Sequence, residues 1–184
     1  TPKLDAAGKP QPTYDESVIK GLSKAFSGWR FGGLDNNNPD QFRDHDENIE
    51  SLWTQPMKAW ASFHSPGEKK LLDGKLLPAG QTPEKDMADA LDTIFLHPNV
   101  PPFFAKQLIQ RLVTSNPSPA YVGRVAAVFA NDGTGTRGNL KAVVRAVLLD
   151  AEARGDSPAA NVAKQREPVI RFANMLRGLG AKSS

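Results

Sequence analysis

The sequence predicts a mainly α-helical protein, a single bundle-like domain with one small β-hairpin near residues 70–77. Two observations predict this class: apolar residues recur at helical spacing from Thr82 onwards, and helix-capping residues precede most of the apolar runs. The chain has 184 residues, 39% hydrophobic and 23% charged, a composition typical of a globular protein with its own core. Residues 1–12 are polar and contain Pro and Gly, typical of a linker or a trimmed N-terminal end, which leaves 13–184 as the helical domain.

The first predicted helix spans residues 14–27. Thr13 is the expected N-cap, because Glu16 three residues later completes a capping box, and Gly28 ends the helix. The residues expected on its buried face are Val18, Leu22, Ala25 and Phe26. The helix is therefore expected to pack one apolar stripe against the rest of the domain.

A long irregular stretch follows at residues 30–63. A loop of this length needs anchoring side chains, and the expected anchors are Trp29, Trp53 and Trp60. After it, Asp73 and Gly74 stand between two pairs of leucines, a pattern typical of a tight hairpin turn. Because a two-stranded hairpin is marginal by itself, we expect it to pack on helices.

From Thr82 the pattern is almost entirely helical. Thr82 is expected to cap a helix that Pro83 begins and that His97-Pro98 ends. Its inward residues are expected to be Met87, Leu91, Ile94 and Phe95. Later helices are expected to open near Pro101, at Ser118-Pro119, at Gly138 or Asn139, and at Glu167-Pro168. The inward residues of the last two are expected to be Leu140, Val143, Val144, Val147 and Leu148, then Phe172, Leu176 and Leu179.

Charge and composition exclude several classes of protein. The net charge is +3, but residues 1–98 carry −4 and residues 99–184 carry +7. The basic residues stand at helical spacing without a cluster or interleaved aromatics, so nucleic-acid binding is not favoured and a protein partner is expected. The absence of Cys excludes a disulfide scaffold, a thiolate zinc site and cysteine catalysis. No apolar run approaches the ~18 residues of a membrane span.

His45 is the centre of one candidate metal site. Carboxylates flank it on both sides, and nitrogen and oxygen ligands together suit a divalent metal. Adjacent residues cannot all turn toward one ion, so a second segment must contribute, and His64 is the obvious partner. The predicted ligands are His45, Asp46 and His64. The alternatives are a solvated charged loop around His45 and a turn that His64 caps by hydrogen bonds.

The segment GTGTRG, residues 133–138, is a candidate anion site. It matches GxGxxG formally, but a dinucleotide fold needs a preceding strand, and here a predicted helix precedes it. The segment is therefore interpreted as an interhelical loop. Its backbone amides before a helix start offer an anion site together with Arg137, formed by Gly133, Gly135, Arg137 and Gly138.

Four ordered segments carry a resemblance to a known family. They are YDESVIKGLSKAFSGW (14–29), FHSPGEKKLL (63–72), the long run from HPNVPPFFAKQL to LLDAEAR (97–154), and REPVIRFANMLRGLGA (166–181). Together they resemble the bacterial family called domain of unknown function 1800. The resemblance implies a mostly helical fold, the C-terminal part of a longer exported protein, and a periplasmic or extracellular location.

The resemblance leaves the activity open, and the sequence departs from the family at two positions. Ser65 follows His64 where the family usually has Asp, and Asn139 stands where the family often has Asp. Both departures weaken a metal or acid–base site built on those carboxylates. The favoured hypothesis is a non-enzymatic helical interaction or assembly module of an exported protein. The alternative is a metal-dependent hydrolase whose His/carboxylate site is completed by a region N-terminal to this chain.

Overall fold

The structure, a computed structural model, consists of two compact units, Thr1–His97 and Pro98–Ser184, each with its own hydrophobic core. The described residues are 4–43, 50–156, 164 and 167–181. The mainly helical class is confirmed, with two small antiparallel sheets beside the helices. The single domain predicted over residues 13–184 stays a prediction. None of the helices in the described ranges is long and apolar enough to cross a membrane.

Helix α1, Glu16–Ala25, opens the first unit and lies inside its predicted range. Its N-cap is Asp15, so the capping box predicted at Thr13 is wrong. The Asp15 carboxylate accepts the backbone N–H of Val18 at 3.0 Å, and its other oxygen accepts from Lys70 Nζ at 3.0 Å. Aspartate caps a helix at least as well as threonine, and the contact with Lys70 holds it in place.

The hairpin predicted near residues 70–77 is confirmed. Strand β3, Lys69–Lys70, pairs antiparallel with β4, Leu76–Leu77. Asp73 and Gly74 have φ values of +55° and +74°, as the two central residues of a type I′ turn require. The Asp-Gly pair therefore fixes the turn, as its sequence predicts.

Helix α4, Pro83–Leu96, shares a core with α1 and the hairpin. The fully buried members of this core are Ala25, Leu71, Leu77 and Ala90. Gly21 of α1 lies directly against the backbone of Lys70, where a Cβ would fall 1.8 Å from the carbonyl oxygen, so only glycine fits. The hairpin is thus held between two helices, as expected for an element too small to be stable alone.

The buried face of α4 differs from the predicted one. Thr82 caps the helix and Pro83 begins it, as predicted. Leu91 and Phe95, however, are 52% and 41% exposed, whereas Ala90 and the charged Asp86 are buried. The predicted inward set is wrong at Leu91 and Phe95, because the packing partner selects a face that helical periodicity does not distinguish.

The stretch 30–63 is more ordered than its sequence suggests. Strand β1, Trp29–Arg30, pairs antiparallel with β2, Lys58–Ala59, a pairing that was not predicted because two-residue strands leave no alternation to detect. The other elements here are α2, Asp40–Arg43, α3, Ser51–Thr54, and a 3₁₀ turn, Ala61–Phe63. The other described residues of this stretch, outside 44–49, form turns and irregular segments.

The three predicted tryptophan anchors behave differently. Trp60 is fully buried and forms a small core with Leu34 and Leu52. Trp29 is half-buried, but Trp53 is 68% exposed and stands against Phe31 with ring centroids 5.4 Å apart. Trp60 is therefore an anchor as predicted, whereas the prediction for Trp53 is wrong.

The second unit is a helical bundle. Its helices are α5, Val100–Leu112, α6, Pro119–Ala130, α7, Leu140–Leu149, α8, Ala151–Arg154, and α9, Pro168–Gly178. Helices α5, α6 and α7 pack on one another around a buried set. That set is Ala105, Ile109, Tyr121, Val125, Ala126, Phe129, Val143 and Val147. The helix start predicted at Ser118-Pro119 is confirmed, and of the two starts predicted for α7 the structure has Asn139. The side chains of Ser118 and Asn139 accept the backbone N–H of Tyr121 and Ala142.

Two helices of this unit leave much of their apolar surface uncovered. Helix α7 buries Val143 and Val147, but the other residues predicted to face inward are exposed. They are Leu140, Val144 and Leu148, at 54%, 37% and 49%. Phe172 of α9 and Leu179, the residue after it, are likewise 57% and 75% exposed. The predicted inward sets are wrong at these positions, because periodicity locates apolar residues but not the surface that covers them.

Candidate functional site

A buried cluster of three ionisable side chains lies in the first unit. One carboxylate oxygen of Asp86, Oδ2, is 2.6 Å from Lys69 Nζ and 2.6 Å from His64 Nε2. The side chains of Lys69 and Asp86 are fully buried, and that of His64 is 3% exposed. Charged groups are buried only when they are paired, because an isolated ion loses its hydration without compensation. This cluster is therefore the main polar feature of the core.

Three separate elements deliver these side chains. His64 follows the 3₁₀ turn at Ala61–Phe63, Lys69 begins β3, and Asp86 lies in the first turn of α4. The N-terminal end of a helix carries a partial positive charge, which favours a carboxylate there. Lys69 Nζ also donates to the carbonyl oxygen of Gly67 at 2.9 Å. Asp86 thus joins the hairpin and the turn before it to the start of α4.

His64 also ties this cluster to the end of α1. Its Nδ1 lies 2.9 Å from the carbonyl oxygen of Ser27, and the Ser27 hydroxyl accepts the backbone N–H of Ser65 at 2.9 Å. Gly28 follows with φ +81°, and a Cβ there would lie 3.0 Å from the His64 Cα. The close approach of these two segments therefore requires glycine, and His64 caps the turn, as one of the two hypotheses for it proposed.

The hydrogen bonds of His64 leave neither ring nitrogen available. A carbonyl oxygen only accepts, so Nδ1 carries a proton, and the short contact to Asp86 places another proton between Nε2 and Oδ2. The Asp86 Oδ1 atom is buried without a hydrogen-bond partner among the described residues. With side chains this deeply buried, the cluster as it stands offers no access to a substrate. The arrangement is structural: it joins the hairpin and the turn before it to α4 and to the end of α1.

The predicted metal site reaches beyond the described part of the chain. His45 and Asp46 both lie outside the described residues, and so the site formed with His64 stays a prediction. The third predicted ligand, His64, is committed to Ser27 and Asp86, and Lys69 already supplies the positive charge beside that carboxylate. Within the described ranges, no group of three or more His, Asp or Glu side chains is placed to hold a metal ion.

In the loop after α6, side-chain oxygens of the loop itself accept its backbone N–H groups. The Asn131 amide oxygen accepts the N–H groups of Gly133 and Gly135 at 2.9 and 3.0 Å. One oxygen of Asp132 accepts from both the N–H and the hydroxyl of Thr134, at 2.8 and 2.7 Å. These bonds, that of the Thr134 hydroxyl foremost, hold the pKa of the Asp132 carboxyl well below its usual range.

These contacts bear on the predicted anion site. The amides of Gly133 and Gly135 point to a side chain of the loop itself, and Gly138 donates to the carbonyl oxygen of Phe129 at 2.8 Å. The Arg137 guanidinium stands 5.5 Å from the Phe129 ring. The four predicted residues do lie in one interhelical loop, and the loop's internal bonds already engage its glycine amides. An anion site there stays a prediction.

A second polar network joins α6 to α8 in the second unit. Arg124 Nε and Nη2 each contact one oxygen of Asp150 at 2.8 Å, and Nη2 also reaches Glu152 at 2.9 Å. The hydrogen bonds from Arg124 hold the pKa of Asp150 below its usual value, although burial opposes them. Burial and the nearby carboxylates of Asp150 and Glu152 raise the pKa of Tyr121 to about 12. Its hydroxyl donates to the carbonyl oxygen of Val147 at 2.5 Å.

An open groove of about 400 Å³ lies between α6 and α7. Its apolar lining is formed by Val125, Val128, Ala142, Ala146 and Leu149. Its charged lining residues are Arg124, Asp132, Arg145 and Asp150. Mostly apolar concave surfaces with a few charged groups are typical of ligand and partner sites. This groove, unlike the cluster at Asp86, is open to the surface.

Sequence reasoning missed Asp86 altogether. Its neighbours in DMADALD include two further aspartates, so the segment reads as a solvated helix face. The available signal was indirect: His64 was singled out before the hairpin, and a basic side chain needs a buried polar partner once it is covered. The groove was also missed, because helix packing, not a motif, creates it.

Comparison with known proteins identifies a family but no characterised relative. No curated protein and no solved structure shows a significant match to the chain. A family model described as a protein of unknown function (DUF1800) matches residues 6–183, nearly the full length. The four ordered segments and the helical fold agree with this match. The chain therefore belongs to the DUF1800 family of proteins of unknown function.

Proposed function

We propose that this chain is a non-enzymatic helical interaction or assembly module of an exported bacterial protein, and that it binds a protein partner through the outer face of α7. The observation that carries the proposal is that α7 is mostly apolar in sequence, yet only part of its surface is buried. Its sequence, LKAVVRAVLL, is apolar apart from Lys141 and Arg145, yet Val143 and Val147 are its buried residues. A helix that is apolar on nearly all sides is normally covered.

The exposed residues of α7 form a continuous surface. Leu140, Val144 and Leu148 follow one another at intervals of four residues, so they form a stripe along one side of the helix. This α7 stripe is about half exposed throughout. Contiguous apolar patches rimmed by charged residues mark interaction sites on soluble proteins. A partner surface laid along this stripe would remove it from water.

The hydrolase alternative receives no support from the described residues. Its predicted ligand His64 has both ring nitrogens engaged, and the cluster around Asp86 is closed to substrate. The charged residues of the groove between α6 and α7 are arginines and aspartates, of which Arg124 and Asp150 are paired, rather than a nucleophile beside a base. An interaction role fits these observations without a further chemical group.

Site-specific photo-crosslinking in the bacterium that exports the protein tests this proposal. A benzophenone side chain at Leu148 of the full-length protein should give one discrete protein adduct upon irradiation. The matched control is the same side chain at Lys106, an exposed position on α5 of the same unit. No adduct from Leu148, or the same adducts from both positions, would contradict an interaction through α7.

A further inference from the structure

The charged residues along the groove between α6 and α7 are not equally engaged. Arg124 is paired with Asp150 and Glu152. Asp132 is held within its own loop, where its second oxygen accepts from Asn139 Nδ2 at 2.6 Å. Arg145, by contrast, makes no hydrogen bond or ion pair with any described residue. Among the described residues that line the groove, Arg145 is therefore a cation without a paired carboxylate, beside an apolar floor.

Lys141 adds a second cation one helical turn before Arg145. It lies four residues before Arg145, so the two cations are neighbours on the α7 surface, and Lys141 likewise has no ion-pair partner among the described residues. Like charges at this spacing repel each other. The two side chains are flanked by the α7 stripe on one side and by the groove residues Ala142, Ala146 and Leu149 on the other.

We propose that the groove between α6 and α7 binds an amphipathic helix of the partner protein. Carboxylates beside the apolar face of that helix would pair with Lys141 and Arg145. This inference rests on the proposed function and names the chemistry of the partner. An apolar groove between two helices accepts the ridge of a third, with leucine-type side chains on the floor. Carboxylates one turn apart on the partner match the spacing of the two cations.

The excess of positive charge in this half of the chain favours the same partner. Residues 99–184 carry a net charge of +7, so a partner with acidic side chains is attracted over a distance and a basic partner is repelled. Charge pairs at the rim of an interface set which partner is accepted, while the buried apolar contacts provide most of the affinity. Arg145 is thus the residue expected to decide the sign of the partner's charge.

The inference is tested by comparing how the chain and its charge-reversed variants bind two synthetic peptides of opposite charge. Both peptides are amphipathic helices with the same leucine ridge, and one has Glu and the other Lys at the positions beside the ridge. Binding to the whole chain is measured by fluorescence anisotropy at low salt. The Glu peptide should bind about tenfold more tightly than the Lys peptide, and Arg145→Glu with Lys141→Glu should reverse this preference.

Arg145→Glu alone should weaken this preference, and its matched control is Arg171→Glu, which makes the same charge change on α9 of the same unit. The control should leave the preference for the Glu peptide in place. Equal binding of the two peptides, or the same response to Arg171→Glu as to Arg145→Glu, would overturn the inference. So would binding of anionic phospholipid vesicles that depends on Arg145 while neither peptide binds, since that result assigns the surface to a membrane.

The peptide and crosslinking results separate the two proposals. A protein adduct at Leu148 without a charge preference would refute the acidic helix and leave the interaction module in place. The absence of both an adduct and a peptide preference would refute both proposals.

Discussion

A single aspartate holds together much of the first unit. Asp86 receives Lys69 from the hairpin and His64 from the turn before it, while His64 also contacts the last turn of α1 through Ser27. The contacts of Asp86 with Lys69 and His64 are buried, so each of these ionisable groups depends on the others for compensation. The consequence is an asymmetry: removal of the shared anion leaves two basic side chains buried, whereas removal of Lys69 still leaves the pair of His64 and Asp86.

This asymmetry predicts different losses for two substitutions. Asp86→Asn should lower the free energy of unfolding by about 3–5 kcal/mol, because it leaves a buried ammonium without its anion. Lys69→Met should cost clearly less, since it replaces the lysine with an apolar side chain of similar length. Urea unfolding measures both, with Asp92→Asn on the exposed side of α4 as the control. Equal losses for Asp86→Asn and Lys69→Met would refute the shared-anion arrangement.

We expect the Tyr121 hydroxyl to make the free energy of unfolding depend on pH in alkaline solution. Its folded-state pKa is raised to about 12, mainly by burial, against about 10 in the unfolded chain. The folded state therefore resists ionisation of Tyr121. The stability that the neutral hydroxyl contributes is complete below about pH 10 and is lost between about pH 10 and 12. Tyr121→Phe should abolish that part of the loss. The difference between the unfolding curves of the two proteins from pH 8 to 11.5 measures it, and identical pH profiles would contradict it.

At the scale of elements, local chemistry predicts helix starts better than buried faces. Thr82 caps α4 as predicted, and Ser118 and Asn139 cap α6 and α7 at positions where helix starts were predicted, because a cap depends on a few adjacent residues. The type I′ turn at Asp73-Gly74 is local in the same way. The exception is Asp15 in place of Thr13, which caps α1 through the N–H of Val18 and also contacts a distant residue, Lys70. Which face of a helix is buried always depends on such distant partners.

The loop before α7 explains why Asn stands at position 139. Its side-chain oxygen caps α7 at Ala142, and its Nδ2 group donates to Asp132 at 2.6 Å. Asn139→Asp keeps the capping oxygen but places two carboxylates in contact, so it should cost about 1–2 kcal/mol at pH 7.

The charge repulsion gives this prediction a distinctive pH signature. The loss should shrink below about pH 4, as one of the two carboxylates takes up a proton. Adding Asp132→Asn to Asn139→Asp should restore much of the stability at pH 7, and thermal unfolding at pH 3 and pH 7 measures both effects. A loss that does not change with pH would show that repulsion is not its cause.

On the scale of the whole molecule, class and family were predictable and the buried sites were not. The mainly helical class follows from periodicity, and the family from four ordered segments. The cluster at Asp86 and the groove between α6 and α7 both combine residues distant in sequence, and neither has a motif. The predicted metal ligands His45 and Asp46 lie outside the described residues, and the site they form with His64 stays a prediction.

The uncovered apolar surface is the property of the whole molecule that most directly bears on function. Val147 and Leu148 are adjacent residues of α7, yet Val147 is fully buried and Leu148 is 49% exposed. If the outer face of α7 is free in the isolated chain and covered only by a partner, the two residues must contribute very differently to its stability. A buried valine shortened to alanine leaves a cavity, whereas an exposed side chain loses little.

The most direct measurement is therefore the free energy of unfolding of Val147→Ala and Leu148→Ala in the isolated chain. Val147→Ala should lose about 2 kcal/mol or more, and Leu148→Ala should stay within about 0.5 kcal/mol of the unmodified protein. Losses of similar size for the two variants would mean that the chain itself covers Leu148. The α7 stripe would then belong to the core, and the chain would have no interaction surface there.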